Sequence, residues 1–406
     1  MERITPHSSS RSFLPGTVLL HFAFVLTGVM TTLLGPMLPF LSARWSLSDV
    51  EGGYLFTAQF LASLFGIAIS TYLTRHHEYR PALLIGLSLM AVGAGLLARA
   101  NWIVGMTAVS LYGIGLGATI PTANLLIADL NPLSQAAALN LLNFSWGIGA
   151  VGSPFVIRIL NNADDQFLYG VSVLLGISAV SMLWVPSPMR FAIRTASRSA
   201  IPSKVEWWSR FILILGILFF AYVGTENAVG GWIASYARRA SVGTANLWTM
   251  TPSFFWGSLL LGRAFAPGLL GRMQETTLCK CGLSLGVLGI AILITANSTM
   301  IISLAAAITG LGFSSIYPAY IAMLSAWFGA SGVRVGGLMF SVASLGGASL
   351  PWLVGAVSNV FGSLRTGLLV PLASTIAMLV LYLLYGSYRP SAVQSLRQAA
   401  NSSTTA

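Results

Sequence analysis

Ten of the 406 residues are acidic, and nine of them fall in termini, loops or the ends of apolar stretches: Glu2, Asp49, Glu51, Glu78, Asp129, Asp164, Asp165, Glu206 and Glu275. The tenth, Glu226, stands near the middle of a long apolar run, in Tyr222-Val-Gly-Thr-Glu-Asn-Ala-Val-Gly-Gly-Trp232. A carboxyl group at that depth loses its hydration, which leaves two readings. It is either a neutral acid bonded to a neighbouring helix, or part of a substrate or proton site. Tyr222 lies one helical turn before it, and Asn227, Gly230 and Gly231 supply polar and small surface where a ligand or another backbone can come close. Trp232 and Tyr236 share another face; Tyr236, next to Arg238 and Arg239, reads as a headgroup-belt residue.

Other apolar runs carry uncharged polar stripes at helical spacing: Gln59 with Ser63 and Gly66, Asn140 and Asn143 with Gly147 and the adjacent Trp146, Ser253 with Trp256, and Ser314 with Tyr317 and Tyr320. Amides donate and accept hydrogen bonds, which suits a neutral, hydroxyl-covered ligand; interhelical bonding is the competing reading for each residue. The candidate binding set is Gln59, Asn143, Trp146, Asn227, Trp232, Trp256 and Tyr317, with Trp232 or Trp256 stacking on the apolar face of a sugar. Aromatic surface alone would instead serve an exporter of amphipathic compounds. Arg75, Asp129 and Arg263 are candidates for a cytoplasmic gate, with snorkelling to the headgroups as the alternative for the two arginines. His76 and His77 read as solvated loop residues, and the role of His21 stays open.

No HExxH, nucleophile elbow or Walker loop is present, so no enzyme is expected and no cofactor or metal. Cys279 and Cys281, two apart on a helix, point to nearly opposite sides and are expected to form no disulfide.

These residues need elements to hold them, and composition says which. Hydrophobic residues make up 55% of the chain and charged ones only 8%, with a mean hydropathy of +0.80. Such a chain cannot clothe a soluble surface, so the expected class is an all-α integral membrane protein, and the net charge of +11 is loop charge rather than a nucleic-acid footprint. Spans are expected at 15–41, 50–74, 81–99, 102–127, 134–160, 167–186, 211–237, 246–270, 277–296, 299–327, 334–360 and 365–387. The first is too long, and lacks a cleavage site, for a signal peptide. The organisation is an N-terminal six-helix bundle (1–186), a basic cytoplasmic linker (187–210) and a C-terminal six-helix bundle with a short tail (211–406). With both termini cytoplasmic, 14 Lys and Arg fall inside and six outside, with Arg263 left within a span, so the basic bias favours that orientation in a multi-pass protein of the cytoplasmic membrane.

The two halves repeat. Gly113, Gly115, Pro121, Gly149 and Pro154 return 197 residues later as Gly310, Gly312, Pro318, Gly346 and Pro351, while Gly28, Gly35 and Gly66 return after 196 as Gly224, Gly231 and Gly262. Shared offsets for two prolines point to a duplicated unit and to pseudo-symmetric bundles around a central cavity.

Tyr222-Val-Gly-Thr-Glu-Asn in span seven and Phe254-Phe-Trp-Gly-Ser-Leu-Leu-Leu-Gly-Arg263 in span eight resemble the fucose/galactose/glucose:proton symporter branch of the major facilitator superfamily. The resemblance implies a twelve-span fold, alternating access and sugar substrates, with Glu226 and Arg263 at motif positions. The expected protein is a monomer whose partners are a small-molecule substrate, protons if it is coupled, and the bilayer, with no nucleic acid. Where members carry an acid in span four, this chain has Ile120-Pro121-Thr122, and its first span has no carboxylate, so Glu226 is the one central acid available for coupling, and an uncoupled facilitator stays open as the alternative to a proton-coupled transporter.

Overall fold

The computed structural model describes residues 14–75, 78–132, 134–160, 163–185, 210–240, 247–270, 273–328 and 332–385; the basic linker and His76 and His77 lie outside them. The described chain is helical: α1 (Leu14–Thr32), α2 (Leu34–Trp45), α3 (Asp49–Thr74), α4 (Tyr79–Leu97), α5 (Trp102–Leu130), α6 (Gln135–Ile159) and α7 (Asp164–Ser181), then α8 (Arg210–Ala240), α9 (Thr251–Leu270), α10 (Glu275–Thr295), α11 (Thr299–Phe313), α12 (Ile316–Phe328), α13 (Gly332–Phe361), α14 (Leu364–Gly367) and α15 (Leu369–Tyr385). Among the described residues nine spans are long and apolar enough to cross a bilayer, and the bent pair α1–α2 makes a tenth. The helices α6 and α9 complete the twelve. They are the less apolar ones because they carry Asn140, Asn143 and Arg158, and Arg263.

Two expected single helices are broken. Span one bends by 48° at Leu33, and span ten divides at Ser314 and Ser315. Both breaks sit three to four residues before a proline, Pro36 and Pro318, whose missing N–H leaves the carbonyls of Thr32 and Ser314 without their helical partners. Three-residue bonds from the Leu33 N–H to the Met30 carbonyl (3.4 Å) and from the Ser314 N–H to the Leu311 carbonyl (3.3 Å) close the preceding turns. Pro121, the repeat mate of Pro318, is accommodated inside an unbroken α5.

The sequence repeat has matching contacts. A side chain at Gly113 would overlap the Gln59 backbone of α3, and one at Gly310 would overlap the Phe255 backbone of α9; Gly149 meets the Val25 carbonyl of α1, and Gly346 the Phe220 carbonyl of α8. Each half thus packs its second span on its fourth and its first on its fifth through the same glycine positions. The corner at the end of each third span is also repeated with different chemistry. Arg44 caps the last α4 carbonyls, of Leu97 and Ala98, while pairing with Asp164. In the second half the Tyr236 hydroxyl donates to the carbonyls of Ile294 and Ala296. Tyr236 is therefore 3% exposed and works as a helix cap, which corrects its reading as a headgroup-belt residue.

The halves, α1–α7 and α8–α15, meet at mid-depth and at the end remote from the chain termini. Here α2 packs on α8, α3 on α13 and α6 on α9. The Thr57 hydroxyl donates to the Ala348 carbonyl, and the Ser253 hydroxyl to that of Val151. Among the described residues no hydrogen bond joins the halves nearer the termini, where Phe65, Leu141 and Phe340 are exposed. Among the described residues the inter-half hydrogen bonds thus gather at mid-depth and at one end, the sealed end, and the opposite end is here called the splayed end.

Candidate substrate-binding site

Glu226 lies on α8 about 24 Å from its first residue and about 21 Å from its last at 1.5 Å per residue, near mid-span. Spacing of four places Tyr222 directly beneath it, and the Tyr222 hydroxyl donates to Glu226 Oε1 at 2.9 Å while lying 3.2 Å from the Phe313 carbonyl. The antiparallel neighbour α9 brings Arg263, whose Nη2 stands 3.6 Å from the same oxygen, beyond hydrogen-bond reach. The two side chains are 12% and 27% exposed, so the pair is mostly withdrawn from water. Arg263 Nε is buried with no hydrogen-bond partner among the described residues. Around the pair, Tyr222 packs against Phe313, Tyr317 and Tyr320, making an aromatic wall.

Two turns along α9, on the face of Arg263, the Trp256 ring lies against Gly230, where any side chain would collide with the indole. Its Nε1 is a second buried donor without a partner among the described residues. Across the interface Trp256 meets Trp146 of α6 edge to face, at 5.7 Å and 84°. Trp146 Nε1 donates to the Thr31 hydroxyl at 3.2 Å, Gln59 Nε2 to the Thr31 carbonyl at 3.2 Å, and the Tyr112 hydroxyl to Gln59 Oε1 at 3.0 Å. The two halves therefore contribute one polar network each, joined by a tryptophan pair.

The candidate residues divide into two groups. Glu226, Arg263, Trp256, Tyr317 and Trp146 converge at mid-depth. Gln59 is 2% exposed with both ends of its amide engaged, so in this conformation it braces the N-terminal half. Trp232 is 1% exposed, its Nε1 bonded to the Pro351 carbonyl and its ring beside Phe56, so it belongs to the sealed end. Asn227 donates to the Val223 carbonyl of its own helix, and Asn143, which is exposed, donates to that of Leu139 and, at 3.4 Å, to the Asn124 amide oxygen of α5. Toward the termini Asp129 accepts from the Tyr79 hydroxyl, Arg80 holds the Val185 carbonyl, and Arg75 is exposed; no ion pair joins Asp129 to Arg75 or Arg263 among the described residues. Sequence reasoning missed Tyr222 as the hydrogen-bond partner of Glu226, and Thr31 and Tyr112 altogether. The spacing of four between Tyr222 and Glu226 was the available signal. The described residues hold no cluster of metal-ligating side chains, and no disulfide joins Cys279 to Cys281.

Twelve spans in two matching halves, enclosing polar groups at mid-depth and sealed at one end, define a multi-pass membrane transporter. The chain belongs to the Major Facilitator Superfamily, whose family model matches residues 20–299. It is 24% identical over 360 residues to the glucose/mannose transporter of Bacillus subtilis (strain 168), covering 84% of this chain and 88% of the relative. Among solved structures it is similar to a D-xylose-proton symporter (TM-score 0.75, 14% identity, 93% of this chain and 98% of the other). It is also similar to the E. coli fucose:proton symporter (TM-score 0.58, 17% identity, 92% and 99%).

Proposed function

We propose that the protein is a secondary transporter of a small neutral hydroxylated solute, a hexose-like sugar, which binds at mid-depth between its halves. The observation that carries this reading is the Glu226–Arg263 pair. A carboxylate and a guanidinium 3.6 Å apart, too far for a direct bond, leave room for a hydroxyl that donates to one and accepts from the other. The unpartnered Trp256 Nε1 offers another donor on the same face of α9, and the Trp256 and Tyr317 rings offer apolar surface for a sugar's C–H face. Paired charges that cancel locally fit a neutral ligand better than a strongly ionic one. The sugars for which the relatives are named support the same class.

In this reading Glu226 is the protonation or ligand-anchoring switch. Arg75 and Asp129 serve the cytoplasmic gate, and Asn143 and Asn227 enter the site as the bundles 1–186 and 211–406 rock about the linker 187–210. The basic bias supports cytoplasmic termini, and in this reading the splayed end faces the cytoplasm and the sealed end faces out. The protein works as a monomer in the cytoplasmic membrane. The test is uptake into proteoliposomes of radiolabelled glucose, mannose and xylose against a lipophilic cationic dye, with a proton or a sodium gradient imposed. Saturable hexose uptake, competed by unlabelled sugar, is expected. Dye movement without hexose uptake would replace this reading with an exporter of amphipathic compounds.

A further inference from the structure

At the sealed end one carboxylate gathers three helices from both halves. Asp49, the first residue of α3, accepts from both terminal guanidinium nitrogens of Arg239 on α8, with Nη1 at 2.8 Å from Oδ2, and from the Ser358 hydroxyl of α13 at 2.5 Å. The neighbouring Arg238 donates to the Pro39 carbonyl of α2 at 2.5 Å and lies 5.4 Å over the Trp248 ring, which packs on Phe40 of α2. The backbones are drawn in as well: a side chain at Gly355 would overlap the Asp49 carbonyl, and one at Gly53 would press on the Trp352 backbone. Asp49 is 13% exposed and Arg239 49%, so the carboxylate is buried in the seam while the arginine spans it from the rim.

We propose that Asp49, Arg239 and Ser358 form the latch that holds this end of the transporter shut, and that Asp49 is its single shared acceptor. Helix geometry makes the device directional. Asp49 and Glu51 occupy the first turn of α3, where Ser48 and Glu51 complete a reciprocal cap, so the carboxylate sits on a fixed helix start and does not follow the other half when the halves part. Opening must therefore break both Arg239 bonds and the Ser358 bond together. These three bonds exist only while this end is closed, so the latch biases the resting protein toward the state seen here. The proposal rests neither on the substrate nor on which side of the membrane the sealed end faces.

The test is a distance measurement across the seam in nanodiscs, where both faces are accessible. Spin labels are placed at Ala43→Cys and Asn359→Cys, exposed sites at this end in opposite halves, with Cys279→Ser and Cys281→Ser in the background. The parent should show one short separation. Asp49→Asn and Arg239→Gln should each raise the open-to-closed ratio about five- to tenfold, the scale of a partly exposed charge pair with a shared hydroxyl. The charge-swapped Asp49→Arg/Arg239→Asp pair should restore the short separation in part, and Ser358→Ala should give a smaller rise. Unchanged distances in Asp49→Asn and Arg239→Gln would overturn the latch, as would a swapped pair as open as the single variants. Should Asp49→Asn fail to reach the membrane, Ser358→Ala and Arg239→Gln decide by the same criterion.

Discussion

A carboxylate and a guanidinium facing each other inside a bilayer protein are stable only as a pair, because each alone would stand desolvated without a counter-charge. Removing Arg263 is therefore predicted to cost more than removing both partners. Arg263→Gln should lower the stability of the detergent-solubilised protein by about 3 kcal/mol, read as a drop in thermal midpoint, and Glu226→Gln/Arg263→Gln should recover most of that loss. A double variant as unstable as the single one would mean that Arg263 acts through contacts other than Glu226. The acid itself was visible in the sequence, since a lone Glu in an apolar run has few structural reasons to be there. Its pairing was not: the family resemblance marks Arg263 as a motif position, but Arg263 lies on the next helix and reads from its own position as a gate or snorkelling residue. Only packing of α8 on α9 brings the two together.

At the scale of the elements, most of the twelve spans follow from hydropathy, and the duplication follows from glycines and prolines at constant offsets. Neither the bend before Pro36 nor the break before Pro318 follows, because Pro121 occupies the same repeat position as Pro318 inside a continuous helix. A proline removes one hydrogen bond, and whether the helix then yields depends on its neighbours. The glycines predict stability in the same local way. Gly149→Ala and Gly346→Ala force a methyl group into a carbonyl of the adjacent helix and should each destabilise by about 1–3 kcal/mol. Gly152→Ala, with nothing within 4 Å of the new carbon, should stabilise by about 0.5–1 kcal/mol through helix propensity. Thermal midpoints of the three variants check this; equal effects at all three positions would remove the claim that these glycines set helix separation.

For the whole molecule, the inter-half bonds at one end and their absence among the described residues at the other place the protein in one state of an alternating cycle. Sidedness is the expectation drawn from basic residues, 14 against six. Reporter domains fused to either terminus are predicted to be active only in the cytoplasm, and activity outside the cell would reverse the assignment of both openings.

The most direct test of the account compares Glu226→Gln with the parent in proteoliposomes, measuring gradient-driven accumulation of a labelled hexose and its exchange at equilibrium. The amide resembles the neutral acid and keeps its hydrogen-bonding shape but cannot load and release a proton. The account predicts that accumulation is abolished; exchange survives at least in part if Glu226 is the proton site and falls with it if Glu226 anchors the sugar. A Glu226→Gln protein that accumulates hexose as well as the parent does would show Glu226 to be a buried structural acid and would contradict the central claim.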